Sequence, residues 1–256
     1  MTFLIDPAWA VGVFLLSLRL GTLFVMSPLW GVTGGPPTVR ILIIAAFAAT
    51  MVSALPPGSV AIPQSLGALV AAAACEVAVG GMLAFGVFAA FAAFMFGGKI
   101  LDVQVGFGLG NVFDPVTHGQ SPVIGSLLNL LAVALFFAVD GHLAFMRGVA
   151  YSLEAVPLGR LPASFPIEAV VKQFGAMFVA GLALVAPVSF GLLTAEAGLA
   201  ALSRNLPQMN VFVVAIPVKI IVGLAMLAAS IGYVGPLASR IFASMFRYWE
   251  GALLHG

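Results

Sequence analysis

The chain has 256 residues, of which 62% are hydrophobic and only 7% are charged, and its net charge is +1. A soluble domain carries about 25% charged residues, so this composition cannot supply a water-facing surface and excludes a soluble globular protein. A charge balance this close to zero also argues against nucleic acid as a partner, because proteins bind the phosphate backbone through clustered Lys and Arg.

Long apolar runs, separated by proline and glycine, follow one another along the first half of the chain. They cover residues 7–29, 39–55 and 64–96. The sequence Gly-Gly-Lys at residues 97–99 follows the third run. Because glycine and charge commonly end an apolar helix, we expect the third helix to stop there.

Three further apolar runs occupy the second half, at residues 122–139, 170–202 and 211–246. A mixed segment at 142–156 follows the fourth run. About 20 apolar residues cross a bilayer, so the chain contains six candidate spans. The third, fifth and sixth runs are longer than a span needs, which indicates helices that are tilted, kinked or packed within a protein assembly.

The fold class follows from the need to satisfy backbone hydrogen bonds in lipid, which only helices and closed barrels achieve. The runs lack the alternation of barrel strands. We therefore predict an all-α membrane protein, with a single membrane domain over residues 1–256 built from about six long, partly kinked helices. With six spans, the distribution of Lys and Arg favours both termini in the cytoplasm.

Four charged residues lie well inside apolar runs: Arg19, Glu76, Glu196 and Lys219. Each would cost about 2.5–3.5 kcal/mol at the centre of a helix facing lipid, so we expect all four to face protein or water. Either cation can pair with either glutamate. The sequence leaves open whether these residues fix helix register or line a translocation path.

Pro187 and Pro217 interrupt the fifth and sixth runs, and each removes a helical hydrogen bond. We therefore expect helix breaks at both prolines. A broken helix next to a charge is typical of transporter sites. A small-solute secondary transporter with a site near Pro217–Lys219 is accordingly an alternative function.

A glycine-rich, uncharged stretch separates the third and fourth runs. Its glycine spacing does not match a dinucleotide fingerprint, so we expect no phosphate binding. Irregular backbone at membrane depth is tolerated where it is buried in protein or lines water, which makes the stretch a candidate pore loop; an ordinary connector is the alternative. The candidate pore-loop residues are Gly106, Phe107, Gly108, Leu109, Gly110, Asn111 and Phe113.

Catalytic chemistry finds little support in the sequence. The three histidines, His118, His142 and His255, lack metal-ligand spacing. An intramembrane serine protease would require Ser126, Asp140 and His142, but no spacing supports that arrangement over chance. We expect a protein that is not an enzyme and that holds no metal and no cofactor.

Several short stretches, in their order and spacing, resemble the FliR/SctT family of type III secretion export-gate membrane proteins. The resemblance covers nearly the whole chain, and two of the stretches, at 113–115 and 140–143, are more similar to the flagellar branch than to the injectisome branch. The residues that carry it are Gln104–Gly108, Phe113–Pro115, Asp140–Leu143, Leu206–Phe212 and Ile216–Lys219, together with Arg19, Pro28, Pro37 and Arg40.

The resemblance implies a subunit that helps form and seal the pore for unfolded export substrates. Its helices would be arranged as hairpins in a hetero-oligomeric helical assembly with FliP-like and FliQ-like membrane subunits. Residues 1–166 would be the FliP-like part, with an interior loop at 106–119 that plugs the closed gate. Residues 167–248 would be a FliQ-like helical hairpin.

The same resemblance implies a setting and further partners. FlhB-like and FlhA-like export proteins would lie nearby, and membrane lipid would surround the assembly. Energy would come from a separate ATPase and the proton motive force. The expected location is the bacterial inner membrane at the flagellar basal body, with the C-terminus in the cytoplasm.

Overall fold

A computed structural model describes residues 6–27, 36–56, 58–107, 122–162, 167–205 and 211–254. Within these ranges the regular secondary structure is helical and no β-strand occurs, which confirms the predicted all-α class. The helices are α1 (Pro7–Val25), α2 (Pro37–Ser53), α3 (Leu66–Val105), α4 (Val123–Ala138), α5 (Gly141–Ala155), α6 (Ile167–Asn205), α7 (Val211–Ala229) and α8 (Ile231–Leu254).

Three of these helices, α1, α3 and α6, are each long and apolar enough to cross a membrane. The α4–α5 and α7–α8 pairs, each interrupted by a short break, raise the number to five if each pair is one span. Helix α2 has 17 residues and is shorter than the others. The protein is thus an all-α membrane protein, and the expected count of six spans is only approximate.

The start of α1 shows how local sequence sets a helix boundary. Pro7 occupies the first helical position, where its missing N–H costs nothing. The side chain of Asp6 accepts a hydrogen bond from the amide of Ala8 at 3.0 Å, which satisfies one of the otherwise unpaired amides of the first turn. The first apolar run therefore becomes helical from its first residue.

Helix α3 is longer than the sequence predicts, because it continues through Gly97 and Gly98 to Val105. The expectation that these glycines end the helix was wrong. A Cβ atom at Gly97 would lie 2.7 Å from the carbonyl oxygen of Gly181, and one at Gly98 would lie 2.3 Å from the Cα of Gly125. The two glycines are present because other helices approach their backbone closely.

Pro187 and Pro217 both lie inside continuous helices, α6 and α7. Membrane helices tolerate proline when neighbouring groups take over the freed backbone carbonyl. The sixth run is broken instead at Ser230, where α7 and α8 meet at an angle of 64°. Serine and glycine near a helix interior are common causes of such sharp bends, and Gly232 follows within the next turn.

The chain divides into two compact units. Unit 1 contains residues 1–89, 140–173 and 243–256, and unit 2 contains residues 90–139 and 174–242. These boundaries reflect packing within the chain. The division at residue 166 into a FliP-like part and a FliQ-like part is a different kind of boundary, and it stays a prediction.

In unit 1, the end of α8 packs on the middle of α3 through two aromatic residues. The hydroxyl of Tyr248 donates to the carbonyl of Met82 at 3.1 Å, and the indole nitrogen of Trp249 donates to the carbonyl of Leu83 at 2.9 Å. Gly86 makes this contact possible, since a Cβ there would lie 2.6 Å from the Tyr248 ring. Buried aromatic residues with a polar handle thus join the two helices.

The core of unit 2 contains a cluster of four phenylalanines from α3, α4 and α8. Their ring centroids lie 5.2–6.0 Å apart, within the range of favourable aromatic contacts. The cluster consists of Phe91, Phe94, Phe136 and Phe242.

Membrane orientation gains no support from the positions of the cations. Most of the Lys and Arg residues used in the orientation argument lie within helices and not in connecting loops, whereas the positive-inside rule counts residues in loops. The location of both termini in the cytoplasm therefore stays a prediction. Of the residues in that argument, Arg160 lies outside the helices. Those within helices are Arg40, Lys99, Arg147, Lys172, Arg204, Arg240 and Arg247.

Candidate functional sites

Unit 1 contains an ion pair with no exposure at all. Arg19 lies on α1 and Glu76 on α3, and both side chains are 0% exposed. The Nε atom of Arg19 donates to Oε2 of Glu76 at 2.6 Å, and its Nη2 atom donates to Oε1 at 3.2 Å. This two-bond geometry gives both strength and a defined orientation.

The remaining hydrogen-bonding groups of this pair also have partners. Nη1 of Arg19 donates to the carbonyl of Ser152 at 3.0 Å and to its hydroxyl at 3.2 Å, and Nη2 donates to the carbonyl of Val156 at 3.0 Å. The amide of Gly159 donates to Oε1 of Glu76 at 2.7 Å. Every N–H of the guanidinium therefore has an acceptor, which is what a buried charge needs to offset its desolvation.

The resulting network joins α1, α3, the last turn of α5 and the turn after it. Sequence reasoning singled out Arg19 and Glu76 but missed Ser152, Val156 and Gly159. One sequence signal was available for the turn, because Gly159 stands two residues after Pro157 and glycine supplies the positive φ that many turns need. In the structure its φ is 78°. The two carbonyl acceptors carry no side-chain signal.

A close crossing of α1 and α3 lies next to this network. A Cβ atom at Gly80 would lie 2.6 Å from the carbonyl oxygen of Arg19, whereas one at the adjacent Gly81 would have Thr22 as its nearest neighbour at 4.0 Å. The crossing thus requires glycine at position 80 but not at position 81. Close approach here sets α1 at a distance where Arg19 reaches α3.

The second ion pair, in unit 2, joins α6 to α7. Nζ of Lys219 donates to Oε1 of Glu196, and the two side chains are 24% and 40% exposed. Gly191 allows α7 to approach, since a Cβ there would lie 2.8 Å from Cγ of Met226. Unlike the buried pair in unit 1, this pair is partly accessible from outside the chain.

The glycine-rich stretch is described only at its start. Gly106 has a φ of 102°, and its amide donates to the carbonyl of Asp102 at 3.2 Å. Such a left-handed conformation commonly ends a helix and favours glycine. Phe107 is the last described residue before the gap. The other candidate pore-loop residues, Gly108, Leu109, Gly110, Asn111 and Phe113, lie outside the described residues.

Helix α4, which follows this stretch, takes its N-terminal cap from α3. Oδ1 of Asp102 accepts from the amide of Ile124 at 2.9 Å, and Oδ2 accepts from the amide of Gly125 at 3.0 Å. The residue at the cap position itself is Pro122, which makes no side-chain hydrogen bond. Asp102 is 4% exposed, so these bonds lie in the interior.

Sequence reasoning did not identify Asp102. The available signal was an acidic residue in the last turn of an apolar helix, with the next helix starting directly after a proline. Together with the contact between Gly98 and Gly125, the Asp102 hydrogen bonds attach α3 to α4 at two levels. We call Gly98, Asp102, Ile124 and Gly125 the α3–α4 clamp.

Fold and sites define an all-α membrane protein in which internal charges and close glycine contacts join the helices. A family model described as bacterial export proteins, family 1, matches residues 10–245. The flagellar biosynthetic protein FliR of Bacillus subtilis (strain 168) is 30% identical over 234 residues, which cover 90% of this chain and 89% of that protein. The chain therefore belongs to this family of bacterial export proteins, the FliR/SctT family.

Other relatives extend over shorter parts of the chain. FliR of Escherichia coli (strain K12) is 30% identical over 172 residues, covering 67% of this chain and 66% of that protein. The Yop proteins translocation protein T of Yersinia pestis is 28% identical over 150 residues, covering 56% of each chain. The comparisons confirm the resemblance that the sequence stretches indicate.

Proposed function

We propose that this chain is a structural and gating subunit of a flagellar type III protein export gate. In this role it helps form and seal the pore for unfolded export substrates in the bacterial inner membrane. Family membership supports a component of an export apparatus, because relatives are named for flagellar biosynthesis and for Yop protein translocation. The family is one of structural and transport components, in keeping with a subunit that is not an enzyme.

The observation that carries the gating part of the proposal is the α3–α4 clamp. The clamp attaches the helices on both sides of the glycine-rich stretch, at Asp102 before it and at Ile124 and Gly125 after it. A chain segment that seals a pore needs firmly held ends, which the clamp supplies. The glycines at 106, 108 and 110 carry no side chain that would obstruct tight folding of this segment.

Assembly with other membrane subunits is the structural part of the proposal. In the most apolar 18-residue stretch of α6, only 28% is buried within the chain. Phe190 on the same helix is 74% exposed. A surface this apolar is covered by lipid or by protein. We propose that FliP-like and FliQ-like subunits cover much of it, with residues 1–166 as the FliP-like part and 167–248 as the FliQ-like hairpin.

The proposed setting includes further components. FlhB-like and FlhA-like proteins lie next to the assembly, unfolded substrates pass through it, and membrane lipid surrounds it. The C-terminus lies in the cytoplasm.

Co-purification tests the assignment as a whole. The chain is extracted with detergent from cells that hold its native partners, and the purified material is identified by mass spectrometry. Recovery of FliP-like and FliQ-like proteins in one large complex supports the export gate. Recovery of the chain from these cells without either partner contradicts it and favours the solute transporter with a site near Pro217–Lys219.

Bulky substitutions in the glycine-rich stretch are expected to damage the seal. At Gly106, where φ is 102°, valine is strained in any surroundings. We expect Gly106→Val, and likewise Gly108→Val and Gly110→Val, to make cells leak ions or to block export. Membrane-potential dyes and an assay of secreted substrate measure the two effects.

The control for these variants is Gly21→Val, because Gly21 lies on α1 with open space around its missing Cβ. This variant should keep both the permeability barrier and export. If the stretch variants also keep both, the proposed sealing role is refuted.

Removing one charge of the second ion pair is expected to weaken assembly. Lys219→Met and Glu196→Gln each leave the other member of the pair without its charged partner. If the pair holds α6 and α7 in the register that partners bind, recovery of the complex should fall several-fold. Quantitative co-purification measures the complex, and thermal unfolding measures the isolated chain.

A matched control exists on the same helix. Lys172 pairs with Glu168 at 2.7 Å, one turn apart, and the two side chains are 75% and 82% exposed. Lys172→Met should therefore change neither quantity. Normal assembly of the Lys219 and Glu196 variants would refute the proposal that this pair holds α6 and α7 in the register that partners bind.

A further inference from the structure

We propose that Asp102 is a positioning residue for gating. Its carboxylate holds the last turn of α3 against the first turn of α4, and it thereby sets the separation between the two ends of the chain that connects these helices. The inference rests on the proposed function, because this separation matters only if the connecting chain takes part in sealing.

The N-terminal cap of α4 comes from another helix. The first amides of a helix have no partner within the helix, and a Ser, Thr, Asp or Asn at the cap position usually supplies one. Pro122 holds that position and has no acceptor side chain. The acceptor comes from Asp102, 22 residues before Ile124 in the chain. A local cap would stabilise α4 alone, whereas this cap also ties α4 to α3.

The hydrogen bonds from Asp102 attach α4 firmly. A carboxylate that accepts two amides at 2.9 and 3.0 Å makes charge-assisted hydrogen bonds. It also lies at the positive end of the α4 dipole. Asp102 is 4% exposed, so little water is present to replace these bonds. Losing the carboxylate charge leaves a buried amide without its acceptor.

A backbone contact lies next to these hydrogen bonds. One turn before Asp102 on α3, Gly98 approaches Gly125 so closely that a Cβ would lie 2.3 Å from the Gly125 Cα. A backbone contact and a pair of hydrogen bonds therefore hold α3 and α4 at adjacent levels. Gly106 then ends α3 just beyond the hydrogen bonds, with a φ of 102°. The connecting chain thus starts and returns at the clamp.

Asp102→Asn in the full chain, expressed with its native partners, is the primary test. Asparagine keeps one acceptor and presents a donor to the other amide. We expect hydrogen exchange at the amides of Ile124 and Gly125 to accelerate about tenfold. We also expect ion leak across the membrane, with unchanged recovery of the complex.

Asp6→Asn is the matched control. Asp6 is exposed and caps α1 locally, through the amide of Ala8, and asparagine is an equally good local cap. This control should change neither exchange in α4 nor ion leak.

A second variant separates positioning from simple stabilisation of α4. Adding Pro122→Asp to Asp102→Asn gives α4 a cap of its own but does not restore the tie to α3. A positioning role predicts that slow exchange at Ile124 and Gly125 returns while the leak persists. Recovery of both slow exchange and a tight barrier would overturn the inference, because α4 would then need only a cap.

The double variant also decides the case in which Asp102→Asn alone yields no complex. With α4 capped again, a positioning role predicts an assembled but leaking complex, and continued loss of the complex would overturn the inference. A sealed barrier in Asp102→Asn despite accelerated exchange would overturn it as well, as would unchanged exchange.

The variants at Gly106, Gly108 and Gly110 distinguish this inference from the proposed function. If they leak while the Asp102 variants stay sealed, the gating role stands and the positioning role fails. If the glycine variants stay sealed, the proposed function fails, and the positioning role fails with it.

Discussion

Replacing Arg19 with leucine is expected to lower the free energy of unfolding by about 3–5 kcal/mol. The substitution leaves the carboxylate of Glu76 charged in a site where its side chain is 0% exposed. Gly159 would be the one remaining hydrogen-bond donor to that carboxylate within the described network. A loss of this size is a large fraction of the total stability of a typical domain, so the variant should accumulate poorly in the membrane.

The double variant Arg19→Leu with Glu76→Leu separates the ion pair from the surrounding packing. It leaves no unpaired buried charge, so it should cost less than the sum of the two single variants by more than about 1 kcal/mol. Chemical unfolding of the purified chain in detergent measures all four members of the cycle. Arg147→Leu, at an exposed position on α5, is the control and should have a small effect. Additive costs for Arg19 and Glu76 would contradict the coupling that the structure describes.

The fold class was predictable because it depends on local composition. Apolar runs of sufficient length have no stable alternative to helix in a membrane, and Pro7 marked the first helix start correctly. The end of α3 was not predictable in the same way. Gly97 and Gly98 read as a stop signal along the chain, but their role depends on Gly181 and Gly125, which are distant in sequence.

The partners of the internal charges were unpredictable for a related reason. The cost of an unpaired charge in lipid shows that Arg19 must find a partner, but it does not discriminate between Glu76 and Glu196. The choice follows from the crossing of α1 and α3 at Gly80, which is a tertiary contact. The carbonyl acceptors at Ser152 and Val156 have no sequence signature, because every residue carries a carbonyl.

Asp102 shows the limit of reading one segment at a time. An acidic residue is read as a cap when it lies directly before the helix it caps. Asp102 lies within the helix before, and the helix it caps begins after the glycine-rich stretch. Neither hydrophobic periodicity nor the family resemblance singled it out. Only the approach of α3 to α4 reveals its role.

Replacing Gly98 with alanine is expected to have an effect comparable to that of the Arg19 substitution. The new Cβ would lie 2.3 Å from the Cα and 2.7 Å from the amide nitrogen of Gly125. Backbone atoms cannot rotate away as a flexible side chain does, so α3 and α4 must separate. That separation would lengthen the hydrogen bonds from Asp102 to the first turn of α4. Overpacking and loss of the cap together should cost about 2–4 kcal/mol.

Two other glycines provide a graded comparison by the same unfolding measurement. At Gly81, on the same helix, a Cβ has its nearest neighbour at 4.0 Å, so Gly81→Ala should stabilise the chain by about 0.5–1 kcal/mol. At Gly125, a Cβ would meet the flexible side chain of Met95 at 3.1 Å, which can shift, and the ring of Pro122 at 3.2 Å, which yields less. The expected order of cost is Gly98, then Gly125, then Gly81.

This order discriminates between two explanations for the glycines of α3. If glycine serves there only as a small residue that is easy to pack, the three variants should differ little. If the backbones of α3 and α4 must touch for Asp102 to reach α4, Gly98→Ala alone should accelerate hydrogen exchange at Ile124 and Gly125 together with its loss of stability. A Gly98→Ala chain that is as stable as Gly81→Ala, with slow exchange in α4, would show that the helices can separate without losing the cap.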